Sequence, residues 1–189
     1  MKTITKQVFE YNELTGSAKE RAAQWLRECV TSFEWWDFVD ENWKEKLSKL
    51  GYSDVKIYFS GFASQGDGAQ FVGKIDLADW MKAHKAAGKY RSLYNEAKGD
   101  YGLTGVIRSS GHCSHEYCTD FDFDWPQGEK AYNQMRDVKD QIIETSRQYM
   151  REIYKELEAE YWGLISDESI KDLAEANEYT FDQYGNREG

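Results

Sequence analysis

The chain of 189 residues carries 34 acidic residues against 24 Lys and Arg, a formal net charge of −10, and its sequence pI is near 4.9. A phosphate backbone is bound chiefly by Lys and Arg that neutralise it, so this balance argues against direct binding to nucleic acid. It suits a basic protein partner, including a nucleic-acid-binding protein whose own site this surface would occupy, although acidity also serves plain solubility.

The length is that of one ordinary domain with room for a core, and a single domain over residues 1–189 is expected. Hydrophobic residues at 40% and aromatics at 15% supply that core and argue against general disorder. No apolar run approaches the length of a membrane span, and Met1-Lys2-Thr3-Ile4-Thr5-Lys6 is followed by no hydrophobic signal core, so a cytoplasmic protein without membrane contact is expected. The cysteines Cys29, Cys113 and Cys118 are odd in number and lack a secretory context, so reduced thiols are expected rather than a disulfide framework.

In chain order, Thr3 to Tyr11 alternates imperfectly around Val8 and Phe9 and reads as a first strand. Ser17 and Glu20 have the spacing of a capping box, and Ala18, Ala22, Trp25, Leu26 and Cys29 then share one helical face. A second helix is expected from about Phe33 to Leu50, with Trp36, Val39, Trp43, Leu47 and Leu50 as its stripe and Gly51 as its stop. Trp35 falls off that stripe. Three tryptophans in nine residues admit two readings, an aromatic ligand platform or ordinary core, and helical spacing favours core.

Val55-Lys56-Ile57-Tyr58-Phe59 and Gln70-Phe71-Val72-Gly73-Lys74-Ile75 are β-branched and aromatic runs on either side of a polar loop, and together they predict a β-hairpin. Gly66-Asp67-Gly68 supplies residues that reach positive φ cheaply, so a tight reversal near Asp67 explains the glycines. A turn does not need Ser64 and Gln65 as well, so Ser64, Gln65 and Asp67 are the first candidate binding residues. Leu77 to His84 and Tyr90 to Lys98 read as short helices joined near Gly88. Lys82, Lys85, Lys89, Arg91 and Lys98 gather there, either as a solvated face or as a patch for a small anionic ligand.

Tyr101 to Arg108 and Tyr117 to Trp125 predict a second hairpin, with Phe121, Phe123 and Trp125 on one face and Asp122 and Asp124 on the other. Its loop contains His112, Cys113, His115 and Cys118. Four ligands within seven residues do not match the paired, separated knuckles of structural zinc sites, and a Cys-His nucleophile pair needs an orienting group that spacing cannot place. Neither a metal, a cofactor nor a catalytic set is therefore assigned, and His112 and His115 are kept as candidate ligand-binding residues. Glu129 to about Trp162 reads as one long helix with a stripe of Met135, Val138, Ile142, Tyr149, Ile153, Leu157 and Tyr161. Such a helix spans roughly 50 Å, enough to cross a sheet and overhang it. Ser166-Asp167-Glu168-Ser169 opens a final helix to about Asn177, and Tyr179-Thr180-Phe181 returns as a last strand.

The run Tyr58-Phe59-Ser60-Gly61-Phe62, followed by Ser64-Gln65-Gly66-Asp67-Gly68-Ala69, resembles the signature of a phage and prophage protein family often labelled "antitoxin of toxin-antitoxin stability system". Glu34-Trp35-Trp36-Asp37, the stretch from Ser110-Gly111-His112 through His115 to Cys118-Thr119-Asp120, and Glu175-Ala176-Asn177-Glu178-Tyr179-Thr180-Phe181 fit the same pattern. The resemblance implies a protein of the bacterial host cell that acts by binding a toxin, a host-defence component or another host protein.

The element order predicts an α+β fold, a largely antiparallel sheet of two hairpins plus terminal strands, covered by helices on one side. If both hairpins join one sheet, their loops lie at one end and bring Ser64, Gln65 and Asp67 toward His112 and His115. Three functions follow: binding a protein partner without turnover, sequestering a small ligand or nucleotide between the 60–71 and 109–118 loops, or hydrolysis by Asp67 with a histidine.

Overall fold

A computed structural model of the chain describes residues 6–100 and 102–188. Its elements are β1 (Phe9–Glu10), a 3-10 turn (Tyr11–Glu13), α1 (Gly16–Thr31), α2 (Asp37–Lys49), β2 (Tyr52–Phe59), β3 (Ala69–Asp76), α3 (Leu77–Ala83) and α4 (Arg91–Ala97). There follow β4 (Thr104–Ser109), β5 (Thr119–Phe123), α5 (Glu129–Leu164), α6 (Asp167–Ala176), β6 (Thr180–Phe181) and β7 (Arg187–Glu188). The fold is α+β, with α5 as its long C-terminal helix. Two expected strands began at Thr3 and at Tyr101; residues 3–5 and Tyr101 lie outside the described residues.

The chain divides into two compact units, one spanning Phe38–Leu157 and one made of its two ends, up to Asp37 and from Glu158. In the first, β2, β3, β4 and β5 form an antiparallel sheet in that order, so both hairpins join as neighbours. Alternation sorts its faces. Phe71, Ile75, Ile107 and Phe123 are buried, whereas Lys56, Tyr58, Lys74, Arg108, Asp120 and Asp122 are exposed. The buried face meets α5, whose Met135, Val138, Ile142, Ser146, Met150, Ile153 and Leu157 recur every three or four residues. β2 carries a bulge between Ser53 and Lys56, where Asp54 takes a left-handed φ of 52°.

Trp43, Val39 and Leu47 bury the inner face of α2, and the Trp43 indole N–H donates to Glu156 of α5 at 2.7 Å. Each buried side chain of this size is worth ~2–3 kcal/mol. Gly51 ends α2 at φ +90°, and a Cβ there would lie 2.5 Å from the Trp80 backbone nitrogen, so both conformation and close approach require glycine. A buried polar relay links three elements. The Trp80 indole N–H donates to the Tyr52 hydroxyl at 3.0 Å, and the Ser146 hydroxyl donates to the Ile142 carbonyl at 2.8 Å. The Tyr52 hydroxyl is therefore the donor in its 2.9 Å bond to Ser146.

In the second unit β1, β6 and β7 form a small antiparallel sheet of their own. The terminal strands thus do not extend the hairpin sheet, as the sequence suggested; β1 and β6 pair over only two residues, Phe9 with Phe181 and Glu10 with Thr180. Its core gathers Tyr11, Leu14, Ala22, Ala23, Leu26, Ile170, Ala174 and Phe181. The expected capping box at Ser17 is replaced: Gly16, at φ +55°, already begins α1, so Ser17 sits inside the first turn, and the cap Thr15 makes no side-chain bond. At α6 the expectation holds, the Ser166 hydroxyl accepting the Ser169 N–H at 3.2 Å.

Candidate functional site

With strand order β2-β3-β4-β5 and all neighbours antiparallel, the β2–β3 and β4–β5 loops leave the same end of the sheet. They touch. A Cβ on Gly68 would stand 2.9 Å from His115 Cδ2 and 3.1 Å from both His115 Cα and the Ser114 carbonyl oxygen. Neither Gly66 nor Gly68 has a positive φ. The turn-based account of these glycines is therefore corrected at Gly68, whose missing side chain makes room for the neighbouring loop.

Asp67 is engaged within its own loop. Its Oδ2 accepts the Ser64 N–H at 2.7 Å and the Ala63 N–H at 2.9 Å, while its own N–H donates to the Ser64 carbonyl at 3.1 Å. These amides, Ser64 first and Ala63 next, hold the carboxyl below its usual range, so it braces the loop as an anion. Ser64 and Gln65 are exposed on that loop. His115 is half-buried, and its Nδ1 has two partners of opposite demand, the Tyr117 N–H at 3.3 Å, which needs an acceptor, and a Glu116 carboxylate oxygen at 3.0 Å, which needs a proton. Glu116 is itself buried and lies 3.7 Å from Arg151, which in turn bonds Glu144 at 2.7 Å.

Cys113 and Cys118 are joined in a disulfide, which corrects the expectation of three reduced thiols; among the described residues Cys29 is the free one. The hairpin brings the two within a single loop, where the Cys118 carbonyl also accepts the Ser110 N–H at 2.9 Å. Bonded to each other, these sulfurs are not thiolate ligands for a metal, and no metal-holding cluster of His, Cys, Asp and Glu occurs among the described residues.

On the exposed face of the sheet, beneath the β4–β5 loop, lies a cleft of about 400 Å³. Its outward-facing walls combine Tyr58 and Val72 with Arg108, Gln70 and His112. Gln70 is the residue that sequence reading missed. It is 4% exposed, and its amide donates to the Ser109 hydroxyl and the Cys113 carbonyl, both at 3.2 Å, while its Oε1 is buried without a hydrogen-bond partner. The available signal was its position in β3: pairing with Tyr58 puts it on the polar face, two residues after Gly68. Of the five sequence candidates, His112 lines the cleft, His115 packs beside it against Gly68, and Ser64, Gln65 and Asp67 belong to the adjoining loop. None of Lys82, Lys85, Lys89, Arg91 and Lys98 is part of its lining.

No helix among the described residues is long and apolar enough to cross a membrane. No curated protein and no solved structure matches the chain. A family model matches residues 35–167, which include the whole hairpin sheet, its converging loops and α5, and the chain therefore belongs to the family described as Domain of unknown function (DUF8835).

Proposed function

We propose that the protein acts by binding a protein partner, without turnover, as a phage- or prophage-type accessory protein of the bacterial cytoplasm, its partner a toxin or a host-defence component. The observation that carries the binding reading is the cleft on the exposed sheet face: apolar walls, one arginine, one imidazole and a buried carboxamide in about 400 Å³ are suited to enclosing one projecting side chain. The signature resemblance and the net charge of −10 support the choice of a protein, and a basic one. Hydrolysis has less support, because the Asp67 carboxylate is already committed to the amides of its own loop.

Gln70 favours a second reading, a small ligand. Its buried Oε1 lacks a donor, and a ligand N–H or O–H would supply one once the covering loop gives way. Arg108, the cationic side chain of the cleft lining, is already paired with Asp122 at 3.3 Å, and the 82–98 lysines lie elsewhere, so that ligand is better uncharged than a phosphate.

The test compares tagged wild-type protein with the Tyr58→Ala, Gln70→Leu and His112→Ala variants in affinity capture from host lysate. Captured proteins, and small molecules released on denaturation, are identified by mass spectrometry. A stoichiometric protein lost from the three variants supports the first reading. A small molecule lost from them replaces it with the second, and capture that none of the variants weakens removes the cleft from both.

A further inference from the structure

The unit built from the chain ends holds a second concentration of chemistry. Phe33-Glu34-Trp35-Trp36-Asp37 occupies the connection from α1 into α2, and Tyr161-Trp162 lies in the last turns of α5. Trp35 and Trp36 meet edge-on at 5.6 Å, Trp35 lies 5.6 Å from Tyr161, and Tyr161 lies 5.3 Å from Trp162. Four rings from distant parts of the sequence thus form one contiguous cluster. A cluster serving only as core would be closed over. Here Trp162 remains 51% exposed, and Phe33, two residues before Trp35 in the sequence, is 73% exposed.

The charges of these segments have one sign. Residues 28–37 contain Glu28, Glu34 and Asp37 and no Lys or Arg; residues 158–170 contain Glu158, Glu160, Asp167 and Glu168 and again no Lys or Arg. Asp167 is met by Arg27 and Glu28 by Gln24. Glu34, Asp37 and Glu160, each next to a clustered ring in sequence, are exposed. Ring faces attract cations through their quadrupole, and neighbouring carboxylates add a field of the same preference. A guanidinium answers both, stacking on a ring while its edge donates to a carboxylate; an ammonium is more strongly hydrated and gains less from the rings.

We propose that this aromatic and acidic surface binds an arginine-rich segment of a basic protein. It shares no residue with the sheet-end cleft, and it stands whether or not that cleft binds anything.

The experiment titrates the full chain into fluorescent oligo-arginine, oligo-lysine and oligo-glutamate peptides of equal length, at low and high salt, and reads anisotropy. The variants are Phe33→Ala with Trp162→Ala, both at exposed positions, and Glu34→Gln with Glu160→Gln, with circular dichroism as the folding control. Oligo-arginine is expected to bind more tightly than oligo-lysine, and oligo-glutamate not at all. The aromatic pair should weaken oligo-arginine by about threefold to tenfold with an unchanged salt slope, whereas the glutamine pair should flatten that slope. Equal binding of the two cationic peptides, indifferent to the aromatic variants, would reduce the effect to diffuse acidity and overturn the proposal. So would a failure to bind oligo-arginine, or a concentration-dependent dimer in sedimentation that the aromatic variants dissolve, since the occupant would then be a second copy of the chain.

Discussion

Replacing Tyr52 by Phe removes one oxygen from the middle of the buried relay and leaves the ring, which packs edge-on against Phe71 at 5.4 Å. Two bonds go with it. The Trp80 N–H, on a side chain only 2% exposed, loses its acceptor, and Ser146 loses a donor while keeping its own bond to the Ile142 carbonyl. A stranded buried donor costs ~1–3 kcal/mol and a lost neutral hydrogen bond ~1 kcal/mol, so the variant should be less stable by about 2–4 kcal/mol. The same hydroxyl carries a pH signature. Burial, the largest influence, pushes its pKa up to about 12. The folded state therefore keeps a proton that the unfolded chain releases above pH ~10, and the stability this represents is complete below pH ~10 and lost as pH rises toward ~12. Holding that proton across so wide a pH interval is worth about 2–3 kcal/mol. Urea unfolding of wild type and Tyr52→Phe, followed by tryptophan fluorescence at neutral pH and at several alkaline pH values, measures both quantities. Other tyrosines and lysines titrate equally in the two proteins, so the difference isolates Tyr52. A neutral-pH loss below ~0.5 kcal/mol with an unchanged urea slope, or parallel alkaline profiles, would refute the relay.

Gly68→Ala forces a methyl into the space held by His115 and Ser114, and should cost ~1–3 kcal/mol in thermal or urea unfolding while shifting the NMR signals of the 110–118 loop. Cys113→Ser opens a short covalent loop and should lower stability by about 2 kcal/mol in the chain-entropy account; alkylation of the unfolded wild type should label one thiol without reductant and three with it. His84 donates from Nδ1 to the Trp80 carbonyl and so receives the Tyr149 hydroxyl at Nε2. Desolvation outweighs the Trp80 bond and lowers its pKa, so its contribution to stability is complete above the ordinary histidine pKa of about 6.5 and is lost as pH falls toward its lower folded value. Its ring proton titration by NMR should have a midpoint below that of a histidine in the unfolded chain, and a midpoint at or above it would contradict the packing.

The elements were legible wherever periodicity was strong. Trp43 and Leu47 on α2, and Met135, Val138, Ile142, Ile153 and Leu157 on α5, lie where their spacing puts them, as does the alternation of Phe121 and Phe123 with Asp122. Tyr149 and Tyr161, by contrast, are only half-buried, and Trp125 lies beyond the end of β5. Ser146 escaped because a serine on an apolar stripe gives no sign that a distant tyrosine will meet it. The convergence of the two loops followed from hairpin order, yet the use made of Asp67 did not, since a carboxylate that caps amides three and four residues back has the same sequence as one that faces a ligand. Gln70 was hidden for a related reason: in a strand, a lone polar residue facing outward is ordinary until a loop from another hairpin covers it. The pairing of Trp35 with Tyr161 depends on tertiary contact that no local pattern encodes.

The irregular stretch of β2 bears on the border of the hairpin sheet. β2 and β5 are the two outer strands of the hairpin sheet, each with main-chain groups turned away from its neighbour. On β2 the bulge and the left-handed Asp54 break the straight ladder that an incoming strand would need, and Lys56 places a charge beside it. On β5 the alternating Asp120 and Asp122 would face each other in an identical strand laid antiparallel and centred on Phe121. Open-ended addition of identical strands is thereby opposed at both borders of the sheet.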